Sequence, residues 1–297
     1  MTVLSASPRL RAALLWTLAL VLMLASVVYQ RRTGPTYPKR GDVVVAGETV
    51  RYQLVRSAST SEDARVALPA EVSGAGGALH YKRFRTADDL TVAPLAREQR
   101  SGRDEWAAYL PKQPAAGKLE YFVMLEREAG SERIPRDLEP VVIRFKDDVP
   151  TPLLVSHVVM MFVSLVVGMR AGLAALFGVA GARRLAWVAF AGITLGGMVL
   201  GPFVQKYAFG AYWTGFPWGY DLTDNKTLLM WLAWLGACAV LWRTPAELSA
   251  RARSAVLAAT LAMMVVYVIP HSLFGSELDY DAVDRGVPAS EAIGTGR

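Results

Sequence analysis

Five long apolar segments alternate with polar connections along the chain. They are residues 12–29, 153–170, 186–205, 227–242 and 254–270. An α-helix rises about 1.5 Å per residue, so a segment of this length covers most of the roughly 30 Å hydrocarbon layer of a bilayer. The pattern therefore predicts five transmembrane helices. The first forms an uncleaved signal anchor over residues 1–32, and the other four form a bundle over residues 151–274.

Residues 33–150, between the first two apolar segments, follow a different pattern. Stretches such as VRYQLV, residues 50–55, alternate apolar and polar residues, which is typical of a half-buried strand. Turn-forming residues separate about seven stretches of this kind, a number typical of an antiparallel β-sandwich. The predicted fold class is therefore an α+β membrane protein with an N-terminal anchor helix, a β-sandwich domain and a C-terminal four-helix transmembrane bundle.

One stretch of this domain carries a family resemblance. LPKQPAAGKLEYFV, residues 110–123, resembles the corner that precedes a strand in immunoglobulin-like and fibronectin type III-like domains. In those domains a tyrosine near the start of the strand hydrogen-bonds back to the backbone of the corner, and Tyr121 occupies that position. The resemblance implies a sandwich fold of this type and implies nothing about activity.

The positive charge of the chain is distributed along it as a topology signal. The net charge is +6, but no basic block suggests a nucleic-acid footprint. Arginines lie near the start of the first apolar segment and around the second-to-third and fourth-to-fifth connections, positions enriched in cytoplasmic loops. They are Arg9, Arg11, Arg170, Arg183, Arg184, Arg243, Arg251 and Arg253. We predict a bacterial inner-membrane protein with a cytoplasmic N-terminus. Its β domain, the loop 203–226 and the tail 275–297 would then be periplasmic.

The loop 203–226 is rich in aromatic residues and glycine. The rings of Trp213, Trp218 and Tyr220 suit the headgroup layer of a membrane. Asp221 and Asp224 immediately precede the fourth apolar segment, where carboxylates cap a helix and complement its dipole. The composition predicts a lipid-contacting interfacial platform that ends in a capped helix.

Two of the three histidines are predicted at the same membrane face as this loop. His157 lies just inside the second apolar segment, with Met160 and Met161 one turn further on, and His271 follows the fifth. Ionisable groups at membrane depth are expensive and mark candidate functional sites. The predicted rim cluster comprises His157, His271, Asp221, Asp224, Lys226, Trp213, Trp218, Tyr220 and Glu277.

Several roles are open to this cluster. The imidazole pair could hold haem b, or copper together with the thioethers of Met160 and Met161. A quinol head group could lie against the rings, with His157 and Asp224 as proton partners. Zinc is disfavoured because no H-E-x-x-H spacing occurs. Alternatively, the histidines bond to loop carbonyls and carboxylates and fix the loop onto the bundle.

The remaining features restrict the function classes. Cys238 is the single cysteine, so no intramolecular disulfide can form. The acidic tail does not match an EF-hand loop, and its small polar end is predicted to be disordered. The chain contains no catalytic motif. We expect a non-enzymatic scaffold or accessory subunit of an envelope complex, with a protein partner. The alternative is a redox subunit that binds haem b, copper or quinol through His157 and His271.

Overall fold

The protein is a mixed α+β chain that divides into two compact units. The computed structural model describes residues 7–45, 48–72, 76–127, 130–244, 249–271 and 273–295. The helical unit contains the described residues of Met1–Gly34, Val149–Tyr207 and Ala211–Gly275. The β unit contains those of Pro35–Asp148, Ala208–Gly210 and Ser276–Arg297.

The helical unit confirms the prediction of five segments long and apolar enough to cross a membrane. Its helices are α1 Pro8–Thr33, α2 Thr151–Phe177, α3 Ala182–Ile193, α4 Gly201–Phe209, α5 Leu222–Arg243 and α6 Ala250–Val268. A π-helical segment, Thr194–Leu200, joins α3 to α4, so Ala182–Phe209 forms one continuous span. Local signals explain several boundaries: Ser7 and Ser249 cap α1 and α6, and Gly178 ends α2 in the left-handed conformation.

Glycines allow the helices to pack closely. A Cβ atom at Gly168 of α2 would lie 2.7 Å from Met263 Cε of α6 and 2.9 Å from Trp234 Cζ2 of α5. A Cβ atom at Gly192 of α3 would lie 2.1 Å from Ser164 Oγ of α2. Small residues at these positions let neighbouring backbones approach, as is common between membrane helices.

The helices run alternately up and down, so the helical unit has two distinct ends. At the end that we call the loop end, Gln30 Nε2 at the end of α1 donates to the carbonyls of Tyr267 and Ile269. At the opposite end, which we call the arginine end, Arg253 Nε of α6 donates to Ala175 O of α2 at 2.7 Å. Residues 211–221, which precede α5 and are part of the helical unit, belong to the loop end.

The position of Arg170 differs from the expectation that it marks a connection after the second span. It lies inside α2, seven residues before the last residue of the helix, and only 5% of it is exposed. The residues that follow it, AGLAALF, are small or apolar, so the helix continues past the charge to Phe177. The second span is therefore longer than predicted, and Arg170 is a buried charge within it.

The β unit contains more and shorter strands than the seven expected. The described strands are β1 Lys39–Val45, β2 Glu48–Leu54, β3 Ser57–Ser59, β4 Ala64–Pro69, β5 Gly77–Arg83, β6 Thr91–Pro94, β7 Ala96–Arg100, β8 Arg103–Leu110, β9 Lys118–Arg127, β10 Gly130–Ile134 and β11 Val141–Lys146. The largest sheet has the order β3-β11-β9-β5-β6, with β10 also paired to β9. A second sheet has the order β4-β8-β7, and β1 and β2 form a hairpin. All pairs are antiparallel except β3 with β11.

One apolar core draws side chains from all three of these sheets. It includes Leu54 from the hairpin, Val66 and Leu110 from the three-stranded sheet, and Leu79 and Val123 from the largest sheet. Strand β4 shows strict alternation of buried and partly buried residues, as its sequence pattern predicts.

The buried tyrosine at the predicted corner bonds elsewhere. Tyr121 Oη donates to Val55 O at 2.7 Å, and Val55 lies between β2 and β3. The bond therefore reaches a backbone carbonyl distant in sequence instead of the corner that immediately precedes β9. It joins two separate parts of the β unit, which differs from the local arrangement that the immunoglobulin-like resemblance implies.

The described residues of the tail, up to 295, contain regular structure that extends into the small polar end, for which the sequence predicts disorder. Strand β12, Ser276–Leu278, pairs with β13, Ile293–Thr295, and a short helix, α7, spans Tyr280–Asp284. Charged pairs bind it to the rest of the β unit. Arg83 Nη1 lies 2.8 Å from Asp284 Oδ1, and Lys118 Nζ lies 2.5 Å from Glu277 Oε2. Composition alone does not show this structure because the tail relies on partners far away in sequence.

Candidate functional site at the loop end

Thr214 is at the centre of the loop network. Its backbone N–H donates to Asp224 Oδ2 at 2.7 Å, and its hydroxyl lies 3.3 Å from a carboxylate oxygen of both Asp221 and Asp224. Gln205 Nε2 donates to the same hydroxyl at 2.7 Å. Asp221 and Asp224 are 4% and 7% exposed, so their carboxylates have little access to water. These hydrogen bonds take the place of the lost hydration.

Asp221 caps the helix that follows the loop, as predicted. Its carboxylate accepts from the backbone N–H groups of Thr223 at 2.8 Å and Asp224 at 3.4 Å. Its own N–H donates to Thr214 O at 3.0 Å. These bonds satisfy donors at the start of α5 that have no partner within the helix.

Gly215 allows the loop to approach α5. A Cβ atom at this position would lie 2.6 Å from Asp224 Cβ and 2.8 Å from Asn225 Oδ1. Asn225 Oδ1 accepts from the N–H of Phe216 at 2.6 Å, and Gly215 O accepts from Trp218 N–H and Gly219 N–H. The loop is therefore bonded both to itself and to the first turn of α5.

The aromatic rings of the loop lie mainly outward. Trp218 is 81% exposed, Tyr220 is 83% exposed and Phe216 is 64% exposed. Trp213 is partly buried, and its Nε1 donates to Phe216 O at 3.1 Å. Exposed amphipathic rings at the end of a set of membrane-length helices suit the headgroup layer.

His157 contacts the π-helical segment of the third span. Its Nδ1 lies 2.9 Å from Gly196 O, which also accepts from the N–H of Gly201. Because a carbonyl oxygen can only accept, this contact requires the proton on Nδ1 and leaves the lone pair on Nε2. π-Helical turns widen a helix locally and are frequent at functional sites.

Lys226 and His271 form a second contact at this end. Lys226 is 4% exposed, and its Nζ donates to Ile269 O at 2.7 Å and lies 3.3 Å from His271 Nδ1. The ammonium has only donors, so Nδ1 of His271 accepts. Desolvation by the surrounding protein lowers the pKa of His271, and the positive charge of the neighbouring Lys226 ammonium lowers it further. His271 is therefore neutral at neutral pH.

The structure separates the predicted cluster into groups. Asp221 and Asp224 join the loop network together with Trp213, whereas Trp218 and Tyr220 are at the exposed face of the loop. Glu277 lies in the β unit, paired with Lys118 and Arg85.

The methionines fill space beside the π-helical segment. A Cβ atom at Gly196 would lie 3.0 Å from Met161 Sδ and 3.1 Å from Met160 Cγ.

Sequence reasoning missed three residues of the site, Thr214, Gln205 and Asn225, because no spacing pattern indicates that a loop residue will bond to a helix ten positions later. Their polar character within the loop was the one signal available.

The donor chemistry limits which cofactor these residues fit. Within the described ranges, no group of three or more His, Cys, Asp or Glu side chains could hold a metal ion. A copper ion at His271 would lie close to the ammonium of Lys226, and like charges repel. His157 alone has the arrangement common to metal-binding histidines, with one ring nitrogen donating to a carbonyl. The residues therefore do not fit a shared copper site at His157 and His271.

Comparisons with protein-family models, with curated proteins and with solved structures found no match to this chain.

Proposed function

We propose that this chain is an integral protein of a bacterial inner membrane that presents a periplasmic β-sandwich as an interaction module of an envelope complex. On this proposal α1 is a signal anchor with a cytoplasmic N-terminus. The observation that carries the proposal is the closed bonding at the loop end. There, the buried carboxylates and the ammonium bond to backbone and side chains of the same unit.

Closed bonding favours a structural role because catalysis or ligand exchange needs polar groups that can change partners. Asp224 would have to give up its bond to the Thr214 N–H, and Lys226 its bond to Ile269 O, before binding a substrate. Leaving such a buried group without a partner costs about 1–3 kcal/mol each. The network therefore acts to hold the loop against the helix ends.

The proposed orientation is supported by charge. The arginines that bond to helix carbonyls are at the arginine end, and short loops rich in arginine remain cytoplasmic. The chain leaves the helical unit after Gly34 and returns at Val149, both at the loop end. The β unit would therefore be on the periplasmic side.

The proposed interaction role is supported by the surface of the β unit. Its core is filled by buried side chains from three sheets, and several large apolar side chains remain exposed outside this core. Val92, Tyr109 and Leu138 are 55%, 46% and 69% exposed. Strand β6, which contains Val92, is an edge strand with one paired neighbour, and edges of this kind accept partner strands.

Site-specific photocrosslinking in intact membranes tests this proposal. A photoreactive phenylalanine would be placed at position 92, 109 or 138, and at Arg51 as a control, since the Arg51 side chain is 91% exposed. We expect at least one apolar position to give an adduct of defined mass that is absent at position 51. Identical products at all four positions, or none at any, would contradict an interaction role.

A quinol-binding redox subunit is the second candidate function. The observation that favours it is the His157 imidazole, whose Nδ1 donates to Gly196 O and whose Nε2 therefore carries a lone pair. That nitrogen could accept the hydroxyl proton of a quinol head group. Ubiquinol-1 titration of the purified protein tests it, with His157→Ala as the variant. His80→Ala is the matched control, because His80 stacks on Phe122 in the β unit. Saturable binding lost only in His157→Ala would replace the scaffold proposal.

The same preparations test haem b. An absorption spectrum with a Soret band that disappears in His157→Ala or His271→Ala, and persists in His80→Ala, would establish a haem subunit. The scaffold proposal predicts no such band.

A further inference from the structure

Among the residues that the structure describes, a buried charge with two unsatisfied donors lies at the arginine end. Arg170 is 5% exposed, and its Nε and Nη1 atoms are buried without a hydrogen-bond acceptor. In the part of the chain that the structure describes, no hydrogen bond or ion pair joins it to another residue. Its charge lies 5.7 Å from the centre of the Trp16 ring, a contact that satisfies none of the N–H donors.

The other arginines that bond at this end show what Arg170 lacks. Arg253 donates to Ala175 O and Leu176 O at the end of α2, and Arg183 donates to Leu241 O and Thr244 O at the end of α5. These side chains satisfy carbonyls that have no partner within their helices. Arg170 lies too far inside α2 to hydrogen-bond free carbonyls at a helix end, because the carbonyls around it are bonded within the helix.

No acidic side chain is available nearby in the described sequence. Residues 7–16, 170–187, 241–244 and 249–256 contain no Asp or Glu, while they contain eight arginines. Glu247 is the acidic residue that the sequence places in these connections, and it lies outside the described residues. The described residues of the arginine end are therefore strongly positive, and the buried charge of Arg170 has no acidic partner among them.

The depth of Arg170 fits the phosphate layer of a bilayer. Helix α2 has 27 residues and is about 40 Å long, which exceeds a hydrocarbon layer of about 30 Å. If the helix is centred, Arg170 lies about 6 Å inside the hydrocarbon boundary, a distance that an arginine side chain can bridge. The adjacent Trp16 ring is 41% exposed, as expected for an interfacial tryptophan.

We propose that the seam between α1 and α2 at Arg170 binds the headgroup of an anionic phospholipid. The guanidinium reaches the lipid phosphate by extending along this seam towards the hydrocarbon boundary, where its N–H groups donate to the phosphate oxygens and the Trp16 ring covers the contact. The apolar cleft of about 290 Å³ lined by Leu22, Leu173 and Leu261 is not part of this site, because neither Arg170 nor Trp16 lines it. The proposal is independent of the loop end and of the function of the β unit.

Native mass spectrometry of the full-length protein tests this site. The protein, purified in a neutral detergent, is mixed with equal amounts of dioleoyl phosphatidylglycerol and dioleoyl phosphatidylcholine. We expect one retained phosphatidylglycerol at about a tenfold preference, the size that one charge-assisted hydrogen bond supplies. Arg170→Gln should reduce the preference to within about twofold. Arg184→Gln should leave it intact, because Arg184 is an exposed arginine of the same end.

Two further outcomes keep the test decisive. If Arg170→Gln does not fold, Arg170→Lys is used, which keeps the charge but loses the Nε donor; a weaker preference than in the wild type supports the site. An unchanged preference in the folded Arg170 variant, or equal loss in Arg184→Gln, overturns it. A wild-type protein without lipid preference that instead crosslinks through position 16 to an acidic helix of another protein also overturns it.

Discussion

The two ends of the helical unit bury charge in opposite ways. At the loop end, Asp224 and Lys226 are 7% and 4% exposed, and both are hydrogen-bonded to the same unit. At the arginine end, Arg170 is 5% exposed, lies against the Trp16 ring and makes no hydrogen bond to a described residue. Burial is therefore equal, and the bonding differs. Burial alone therefore does not distinguish a charge with a structural role from one that binds a ligand. The two differ in whether their donors and acceptors have hydrogen-bond partners within the protein.

The largest expected effect is at the loop end. Asp224→Ala removes the acceptor of the buried Thr214 N–H and should lower the free energy of unfolding by about 2–4 kcal/mol. Denaturation of the protein in mixed micelles, followed by circular dichroism, measures this. Trp218→Ala is the control in the same loop, and its exposed ring predicts a change within about 0.5 kcal/mol. Equal effects of the two variants would mean that the network does not hold the loop.

A smaller effect is expected from packing between the loop and α5. Gly215→Ala places a methyl group against Asp224 and Asn225 and should cost about 1–3 kcal/mol. Gly236→Ala in α5 is the matched control, because a Cβ atom there meets nothing within 4 Å. Alanine favours a helix over glycine, so this control should gain up to about 1 kcal/mol. If both substitutions stabilise the protein, close packing of the loop against α5 does not require glycine at position 215, which contradicts this account of the loop end.

The smallest effect concerns exposed charges in the β unit. Hydrogen bonds from Arg83 hold the pKa of Asp88 at about 2, below its usual value. A lowered pKa means that the stabilisation is present above the ordinary carboxyl range and is lost as the pH falls towards 2. Arg83 also binds Asp284 of the tail and lowers the pKa of that carboxyl, so protonation of Asp284 in acid should loosen residues 276–295.

Hydrogen exchange of the tail amides between pH 5 and pH 2 measures this loosening after correction for intrinsic rates. Because the groups are largely solvated, protection should fall by no more than about fivefold. Asp284→Asn should reduce the pH dependence, whereas Asp104→Asn, which breaks a different exposed pair with Arg97, should leave it unchanged. A much larger fall in the protection of the tail amides would show that exposed ion pairs stabilise the protein as strongly as the buried network does.

The sequence predicts the parts of this structure that depend on local patterns. Apolar run length indicates the five spans, and the position of Asp221 before an apolar run indicates its cap. Arg170 was assigned to a connection because a charge ends an apolar run, although the small and apolar residues after it extend the helix. The loop network around Thr214 and the bond from Tyr121 to Val55 depend on contacts between segments that are apart in sequence. Local periodicity does not indicate such contacts. The tail folds for the same reason, through partners far away in sequence.

The most direct test of the contrast between the two ends is the pair Lys226→Met and Arg170→Met, measured by thermal unfolding in lipid-free neutral detergent. Methionine keeps an unbranched apolar stem at both positions, so each substitution mainly removes a charge. Lys226→Met should lower stability by about 1–2 kcal/mol, since it removes bonded donors. Arg170→Met should leave the stability unchanged or raise it, since an unpaired buried charge is removed. A loss in Arg170→Met as large as that in Lys226→Met would contradict the account.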